Sequence, residues 1–322
     1  MLGFAALIPT YNSHGKTNMS LVNIGSLELE TVVYGTSGSP AILLIQGLGT
    51  PLTRWPMDMI EQLVAAGFHV IAFDNRDIGL STRMDTLGLP DIHQMMNLQS
   101  FALPFPGMLS ALSSTPYTLA DMADDAVGLL GALGIDAAHI VGASLGGMVA
   151  QLIATHHPEC CLSLTSIMSS SGNPMLPPPT PAALHALFAP LPGVRDEASL
   201  IEDSIWRQKV LMSPGYPASD EELRAMFTAE YRRGGFHPAG VIRQLSALLT
   251  AGDRRAQLME IQVPTMVLHG IDDPLINIAC GRDTAAAIPG SEYRPIPGMG
   301  HDFPKALAGE FASAILSVAR HR

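Results

Sequence analysis

The stretch Gly142-Ala143-Ser144-Leu145-Gly146 joins a run of strand-forming residues to a run of helix-forming residues. Residues 139–141 (His-Ile-Val) precede it, and residues 148–154 (Met-Val-Ala-Gln-Leu-Ile-Ala) follow it. A Gly-x-Ser-x-Gly sequence in that setting is typical of a nucleophile elbow, a strained turn that lifts a serine hydroxyl to the edge of a sheet. Glycines are expected at both ends because side chains there would collide with the tight turn. Without the flanking strand and helix, the pentapeptide would indicate little.

Strand-like and helix-like segments alternate on both sides of this turn. Periodicity predicts further strands at residues 27–34, 41–45, 69–73, 162–168, 263–268 and 293–296, and helices beginning near residues 56, 118, 276 and 304. Repeated strand, helix and strand units indicate an α/β fold with a mostly parallel central sheet and helices on both faces.

The alternation stops at a proline-rich stretch, where residues 174–181 contain five prolines. We place a domain boundary there. The predicted core comprises residues 26–171 and 258–322, and residues 172–257 form a helical insertion that we expect to cap the strand ends as a lid. Residues 1–25 are interpreted as an N-terminal arm.

Composition indicates a globular protein and argues against a nucleic-acid partner. Of the 322 residues, 47% are hydrophobic and 15% are charged, as in a globular protein with a deep core. The net charge is −11, which argues against a nucleic-acid partner because phosphate binding relies on clustered cations. The pairs Arg232-Arg233 and Arg254-Arg255 are interpreted as solvated helix positions.

Cysteine usage and hydropathy bear on the compartment. Cys160, Cys161 and Cys280 contain no Cys-x-x-Cys pair, so a reducing, cytoplasmic compartment is the simplest expectation. An apolar run at residues 4–8 lacks a charged segment before it and a cleavage site after it, which makes secretion the less favoured alternative. No run approaches about 18 apolar residues, so no membrane span is predicted.

A catalytic serine needs a histidine base, and that histidine needs a carboxylate to fix its tautomer. Asp272 and Asp273 follow one predicted strand, and His301 follows the next. Both loops lie just past the carboxyl ends of strands, the edge where open α/β sheets bind ligands. We therefore expect Ser144, one of the two aspartates and His301 to converge there.

These motifs together resemble the α/β-hydrolase fold. The similarity is carried by the elbow, by Gly-Ile-Asp-Asp at 270–273, by Gly-Met-Gly-His at 298–301 and by the Asp-x-Arg-x-x-Gly-x-Ser pattern at 74–81. Residues 74–79 and 296–301 in combination are most similar to carboxylesterases related to aclacinomycin methylesterase. The resemblance spans residues 26–170 and 258–320, and it is weak across the predicted lid.

The resemblance implies a role for each site residue. Ser144 would be the nucleophile, His301 the general base, and Asp273 the orienting carboxylate, with Asp272 as the alternative acid. No cofactor is needed for this chemistry, and no pair of histidines has convincing metal-ligand spacing. His269 is interpreted as a packing residue at a strand end.

Acyl transfer also needs hydrogen-bond donors for the developing oxyanion. The elbow supplies the backbone N–H of Leu145 at a helix N-terminus. The second donor is expected to be the N–H of Leu48, in the loop after strand 41–45. Gln46 stands where the family usually has histidine, so the hydrogen bonds that support the Leu48 loop must differ from those of the family.

The expected function is therefore a serine carboxylesterase that hydrolyses small-to-medium carboxylic esters through an acyl-enzyme on Ser144. An acyltransferase or perhydrolase would use the same acyl-enzyme with an alcohol or peroxide in place of water. A non-catalytic ligand receptor on the same scaffold is the alternative from a different class. The sequence leaves the natural ester and the oligomeric state open.

Overall fold

The computed structural model describes residues 19–25, 27–92, 94–95, 115–189 and 196–320, and its centre is an eight-stranded sheet. The strands are β1 (Met19–Asn23), β2 (Glu28–Tyr34), β3 (Ala41–Ile45), β4 (His69–Phe73), β5 (Ala138–Ala143), β6 (Cys161–Ile167), β7 (Thr265–Gly270) and β8 (Glu292–Ile296). Their order across the sheet is β1-β2-β4-β3-β5-β6-β7-β8. β1 and β2 pair antiparallel with their neighbours, and all pairs from β4 to β8 are parallel.

Helices cover both faces of the sheet. They include α1 (Met57–Ala65), α2 (Leu119–Ala132), α3 (Leu145–His156), α9 (Ile278–Ala287) and α10 (Ala308–Ala319). Among the described residues, five more helices lie between β6 and β7, namely α4 (Pro181–Phe188), α5 (Glu197–Leu211), α6 (Asp220–Gly234), α7 (Pro238–Thr250) and α8 (Arg255–Leu258). Among the helices of the described segments, none has the length and apolarity required to cross a membrane.

Alternation along β3 shows how the two faces arise. Leu43 and Ile45 pack in the cluster formed with α2 and α3, whereas Ile42 and Leu44 pack in the cluster formed with α1 and α10. Successive strand side chains point to opposite faces, and all five residues of β3 are buried because each face carries helices. The predicted α/β architecture with a mostly parallel sheet is confirmed.

The N-terminal part of the chain is only partly described. Residues 19–23 of the predicted arm form the edge strand β1, which pairs with β2 from Met19 opposite Val32 to Asn23 opposite Glu28. Residues 1–18 of that predicted arm lie outside the described residues.

Of the arginines predicted to be solvated, Arg254 is buried and Arg233 is partly buried, and for these two the prediction is wrong. The side chain of Arg232 is 67% exposed, but that of its neighbour Arg233 is only 14% exposed and lies 2.8 Å from Asp74. Neighbouring helix residues point about 100° apart, so one of such a pair can face solvent while the other faces the core. Arg254 is 3% exposed.

Candidate active site

Ser144 occupies the turn between β5 and α3 in a strained conformation, with φ 54° and ψ −120°. Residues other than glycine rarely adopt positive φ, and such strain persists only where surrounding contacts hold it. The Ser144 N–H donates to the carbonyl of Ile167 at 2.9 Å, and the Ser144 carbonyl accepts from Ser169 Oγ at 2.7 Å. The sequence pattern indicated Ser144 but not Ser169, whose contact depends on β6 lying beside β5.

The glycines of the elbow allow backbone segments to touch. A Cβ on Gly142 would lie 2.0 Å from the carbonyl oxygen of Gly146, and a Cβ on Gly146 would lie 2.1 Å from that of Ile45. Both distances are far below van der Waals contact. The turn therefore requires glycine at both positions, for the steric reason expected from the sequence.

A chain of hydrogen bonds joins three of the predicted residues. Ser144 Oγ lies 3.0 Å from His301 Nε2, and His301 Nδ1 lies 2.7 Å from Asp273 Oδ2. With the neutral ring protonated on Nδ1, the lone pair of Nε2 faces the serine hydroxyl. This arrangement can accept a proton from Ser144 while the carboxylate stabilises the resulting imidazolium.

Asp273 is held in place by its own loop. Its Oδ1 accepts the backbone N–H groups of Leu275 at 2.9 Å and Ile276 at 2.8 Å, which leaves Oδ2 for His301. Asp272 is exposed, and its carboxylate instead accepts the N–H of Gly298 at 2.8 Å. Of the two adjacent acids, the structure brings Asp273 to the histidine.

A second histidine lies behind this carboxylate. His269 is fully buried, with Nε2 at 2.8 Å from the carbonyl of Ile276 and 3.6 Å from Asp273 Oδ2. Burial lowers the pKa of His269, so its ring is neutral at pH 7. Its Nε2 hydrogen-bonds the Ile276 carbonyl, while Asp273 Oδ2 hydrogen-bonds His301 Nδ1.

The two predicted oxyanion donors belong to two different elements. Leu145 begins α3, and Leu48 lies in the loop after β3. Neither N–H donates to an acceptor within the part of the chain that the structure describes. A Cβ on Gly47 would lie 3.6 Å from Ser144 Oγ, so the loop carrying Leu48 passes directly beside the hydroxyl.

Gln46 and Gln244 hold this loop from two directions. Gln46 Oε1 accepts the N–H of Gly47 at 3.2 Å, and Asn75 Nδ2 donates to the Gln46 carbonyl at 3.0 Å. Gln244 on α7 accepts the N–H of Gly49 at 3.0 Å. The sequence indicated that Gln46 changes the support of this loop, but it held no signal for Gln244.

A cavity of about 120 Å³, open to solvent, lies between the loop after β3 and helices α5, α6 and α7. Its wall combines the apolar side chains of Leu200, Ile201, Phe227, Phe236 and Val241 with the polar or charged side chains of Arg54, Glu230, Arg233 and His237. It reaches Gly49 and Pro51, close in sequence to Leu48, but its described lining includes neither Ser144 nor His301.

One cluster of possible metal ligands occurs among the described residues, formed by Asp77, Asp85 and His237. Nη2 of the Arg243 guanidinium lies 2.7 Å from Asp77, 3.0 Å from Asp85 and 3.2 Å from His237 Nε2. A protein cation already neutralises this cluster, so we assign no metal to it.

Comparison of the sequence with known proteins identifies the family of this chain. The sequence pattern of the alpha/beta hydrolase fold matches residues 40–304. Rhodomycin D methylesterase DnrP of Streptomyces peucetius is 28% identical over 303 residues, which cover 88% of this chain and 93% of that protein.

Two solved structures share the fold along nearly the whole chain. A hydrolase from Pseudomonas aeruginosa PA01 is 25% identical with a TM-score of 0.65, covering 95% of this chain and 99% of that one. The enol-lactonase from Burkholderia xenovorans LB400 is 20% identical with a TM-score of 0.66, covering 94% and 100%. The predicted resemblance to methylesterase-related proteins is confirmed, and the chain belongs to the alpha/beta hydrolase fold family.

Proposed function

We propose that this protein is a serine carboxylesterase that hydrolyses small-to-medium carboxylic esters through an acyl-enzyme on Ser144. The observation that carries the proposal is the continuous hydrogen-bond chain from Asp273 through His301 to Ser144. A methylesterase and a hydrolase among the similar proteins support the hydrolase class.

In the first half of the proposed reaction, Ser144 Oγ attacks the ester carbonyl carbon as His301 Nε2 takes the hydroxyl proton. Asp273 stabilises the imidazolium through Nδ1–H. The tetrahedral intermediate then expels the alkoxide, which leaves as an alcohol after receiving the proton from His301. The acyl group remains bonded to Ser144 Oγ.

In the second half, water attacks the acyl carbon while His301 removes its proton. Collapse of this intermediate releases the carboxylic acid, and Ser144 Oγ regains a proton from His301. In both halves the negative oxygen would accept from the N–H groups of Leu48 and Leu145, and each such donor is commonly worth about 10²–10³ in rate.

We assign substrate choice to the insertion, residues 172–257, as a cap over the core formed by residues 26–171 and 258–322. Gln244 on α7 contacts the loop of Leu48, and the side chains of Arg54 in the core and Glu230 on α6 pair at 2.6 Å. The apolar side chains in the cavity beside these contacts, such as Leu200, Phe227 and Val241, suit the hydrocarbon part of an ester.

The proposal is tested by reaction with a fluorophosphonate followed by mass spectrometry. We expect one adduct on Ser144, none in Ser144→Ala, and retained labelling in Ser246→Ala, which removes a buried serine hydroxyl on α7. Absence of an adduct on Ser144 in the wild-type protein would reject the nucleophile.

A panel of p-nitrophenyl esters of increasing chain length then measures acyl preference. Adding an alcohol that competes with water separates hydrolysis from acyl transfer. Predominant ester exchange in dilute alcohol would show that the second half of the reaction is transfer.

A further inference from the structure

The segment 211–215, which begins at the last residue of α5 in the insertion, lies directly against the loop that carries His301. The N–H of His301 donates to the carbonyl of Leu211 at 2.8 Å, and the N–H of Gly215 donates to the carbonyl of Gly298 at 2.9 Å. The histidine loop is therefore attached to the insertion as well as to the end of β8.

The two backbones are in direct contact at their glycines. A Cβ on Gly300 would lie 2.7 Å from the carbonyl oxygen of Leu211, and a Cβ on Gly215 would lie 2.8 Å from the Cα of Gly298. Since no side chain separates the segments, a displacement of one is transmitted to the other through close packing.

Ser213 is the polar centre of this contact. Its side chain is fully buried, and its Oγ accepts the N–H of Gly300 at 2.8 Å and donates to Asp302 Oδ1. The N–H of Ser213 donates to the same carboxylate oxygen at 3.0 Å. One serine of the insertion thus binds the residues immediately before and after His301.

We infer that Ser213 is a positioning residue for His301, so that the insertion helps to set the geometry of the catalytic base. The inference rests on the proposed role of His301. Without the Ser213 hydroxyl, Gly300 N–H loses its acceptor and the Asp302 carboxylate loses a donor, both in a buried setting, and the loop must rearrange. A displacement of about 1 Å in such a site lowers the rate by about 100-fold.

The kinetic test compares Ser213→Ala with Ser246→Ala. Ser246 is an equally buried serine of the insertion, but its hydroxyl donates to the carbonyl of Arg243 at 2.8 Å. We expect kcat of Ser213→Ala to fall by about 10-fold to 100-fold. Its KM for a short p-nitrophenyl ester should remain within about twofold, because Ser213 touches no reacting atom.

Two results complete the kinetic test. Ser213→Thr keeps the hydroxyl and should recover most of the lost kcat. Ser246→Ala should leave kcat near the wild-type value even if it lowers stability. Equal kcat values in Ser213→Ala and the wild type would overturn the inference, as would equal losses in the two alanine variants.

A nuclear magnetic resonance measurement makes the test independent of activity and of whether Ser213→Thr folds. The ring signals of His301, assigned from their loss in His301→Gln, should shift or broaden in Ser213→Ala and remain unchanged in Ser246→Ala. Unchanged signals in Ser213→Ala would overturn the positioning role. A wild-type protein without esterase activity would reject the proposed function, while the ring signals would still decide whether Ser213 positions His301.

Discussion

Arg243 and Asp77 form a buried ion pair in which Nε and Nη2 of the arginine donate to the two carboxylate oxygens at 2.9 Å and 2.7 Å. Arg243 lies on α7 and its side chain is 1% exposed, while Asp77 lies fully buried in the loop after β4. The same carboxylate accepts from Tyr117 Oη at 2.8 Å and from the N–H of Met84 at 2.7 Å. Helix α7 is thus joined to the loop after β4 by a pair whose acidic member is fully satisfied.

Breaking this pair should be strongly destabilising. We expect Arg243→Met to lower the free energy of unfolding by about 3–5 kcal/mol, because Asp77 would remain buried without its counter-ion. Urea unfolding at neutral pH measures the change. The control is Arg232→Met, which removes an exposed arginine paired with Glu197 at 2.9 Å and should change stability by about 1 kcal/mol or less. Similar losses in both variants would contradict the buried-pair interpretation.

The stability contributed by Asp77 should depend on pH. Burial by itself raises the pKa of Asp77, but hydrogen bonds from Arg243, Met84 and Tyr117 outweigh it and hold the pKa below the ordinary value of 3.8. A carboxyl with a lowered pKa in the folded state stabilises the protein above its unfolded pKa, and the contribution is lost as pH falls through the folded value.

We therefore expect the stability difference between the wild type and Asp77→Asn to be constant from about pH 5 to 7 and to shrink below about pH 4. Denaturant titrations of both proteins across this range measure it. A difference that stays constant down to about pH 3 would argue against a lowered pKa.

Two adjacent aspartates provide a matched test of the charge beside His301. Asp273→Asn should lower kcat by about 10⁴-fold, because the amide no longer stabilises the imidazolium and can favour the wrong tautomer. Asp272→Asn keeps an acceptor for the N–H of Gly298 and should retain activity within about twofold. Both are measured by steady-state hydrolysis of one ester, and the reverse order of losses would reassign the acid.

Two glycine-to-alanine substitutions, one in the elbow and one in α2, should have opposite effects on stability. Gly146→Ala should destabilise the protein by about 3 kcal/mol or more, because the new Cβ meets the Ile45 carbonyl oxygen at 2.1 Å. Gly131→Ala in α2 meets no atom within 4 Å and should stabilise by about 0.5–1 kcal/mol through the helix propensity of alanine. Thermal unfolding compares the two, and a tolerated Gly146→Ala would show that the turn can widen.

Several elements could be predicted because their causes are local. The continuous apolar run 41–45 matches β3, and residues 69–73 match β4. Thr118 begins α2 with a capping box in which its side chain and that of Asp121 bond each other's backbone N–H. Such signals require only residues near one another in the chain.

Contacts between distant residues could not be predicted from the sequence. Asp125 on α2 is buried and pairs with Arg76 in the loop after β4 at 2.5 Å and 2.7 Å. The partial burial of Arg233, which was predicted to be solvated, likewise follows from its contact with Asp74 on a different element. The charge of a residue does not indicate whether an oppositely charged side chain from a distant segment lies beside it in the folded protein.

By itself, the sequence determined the alternation of strands and helices, the elbow at Ser144, and the placement of an acid and His301 after later strands. These follow from periodicity, turn sterics and chain order, which are properties of neighbouring residues. The family resemblance favoured Asp273 over Asp272 as the acid, and the tertiary structure brings Asp273 to His301. Only the tertiary structure decided that Ser213 contacts a loop 89 residues away at Asp302. Such choices depend on how distant segments pack, because the direction of a side chain becomes definite only once its neighbours in space exclude the alternatives.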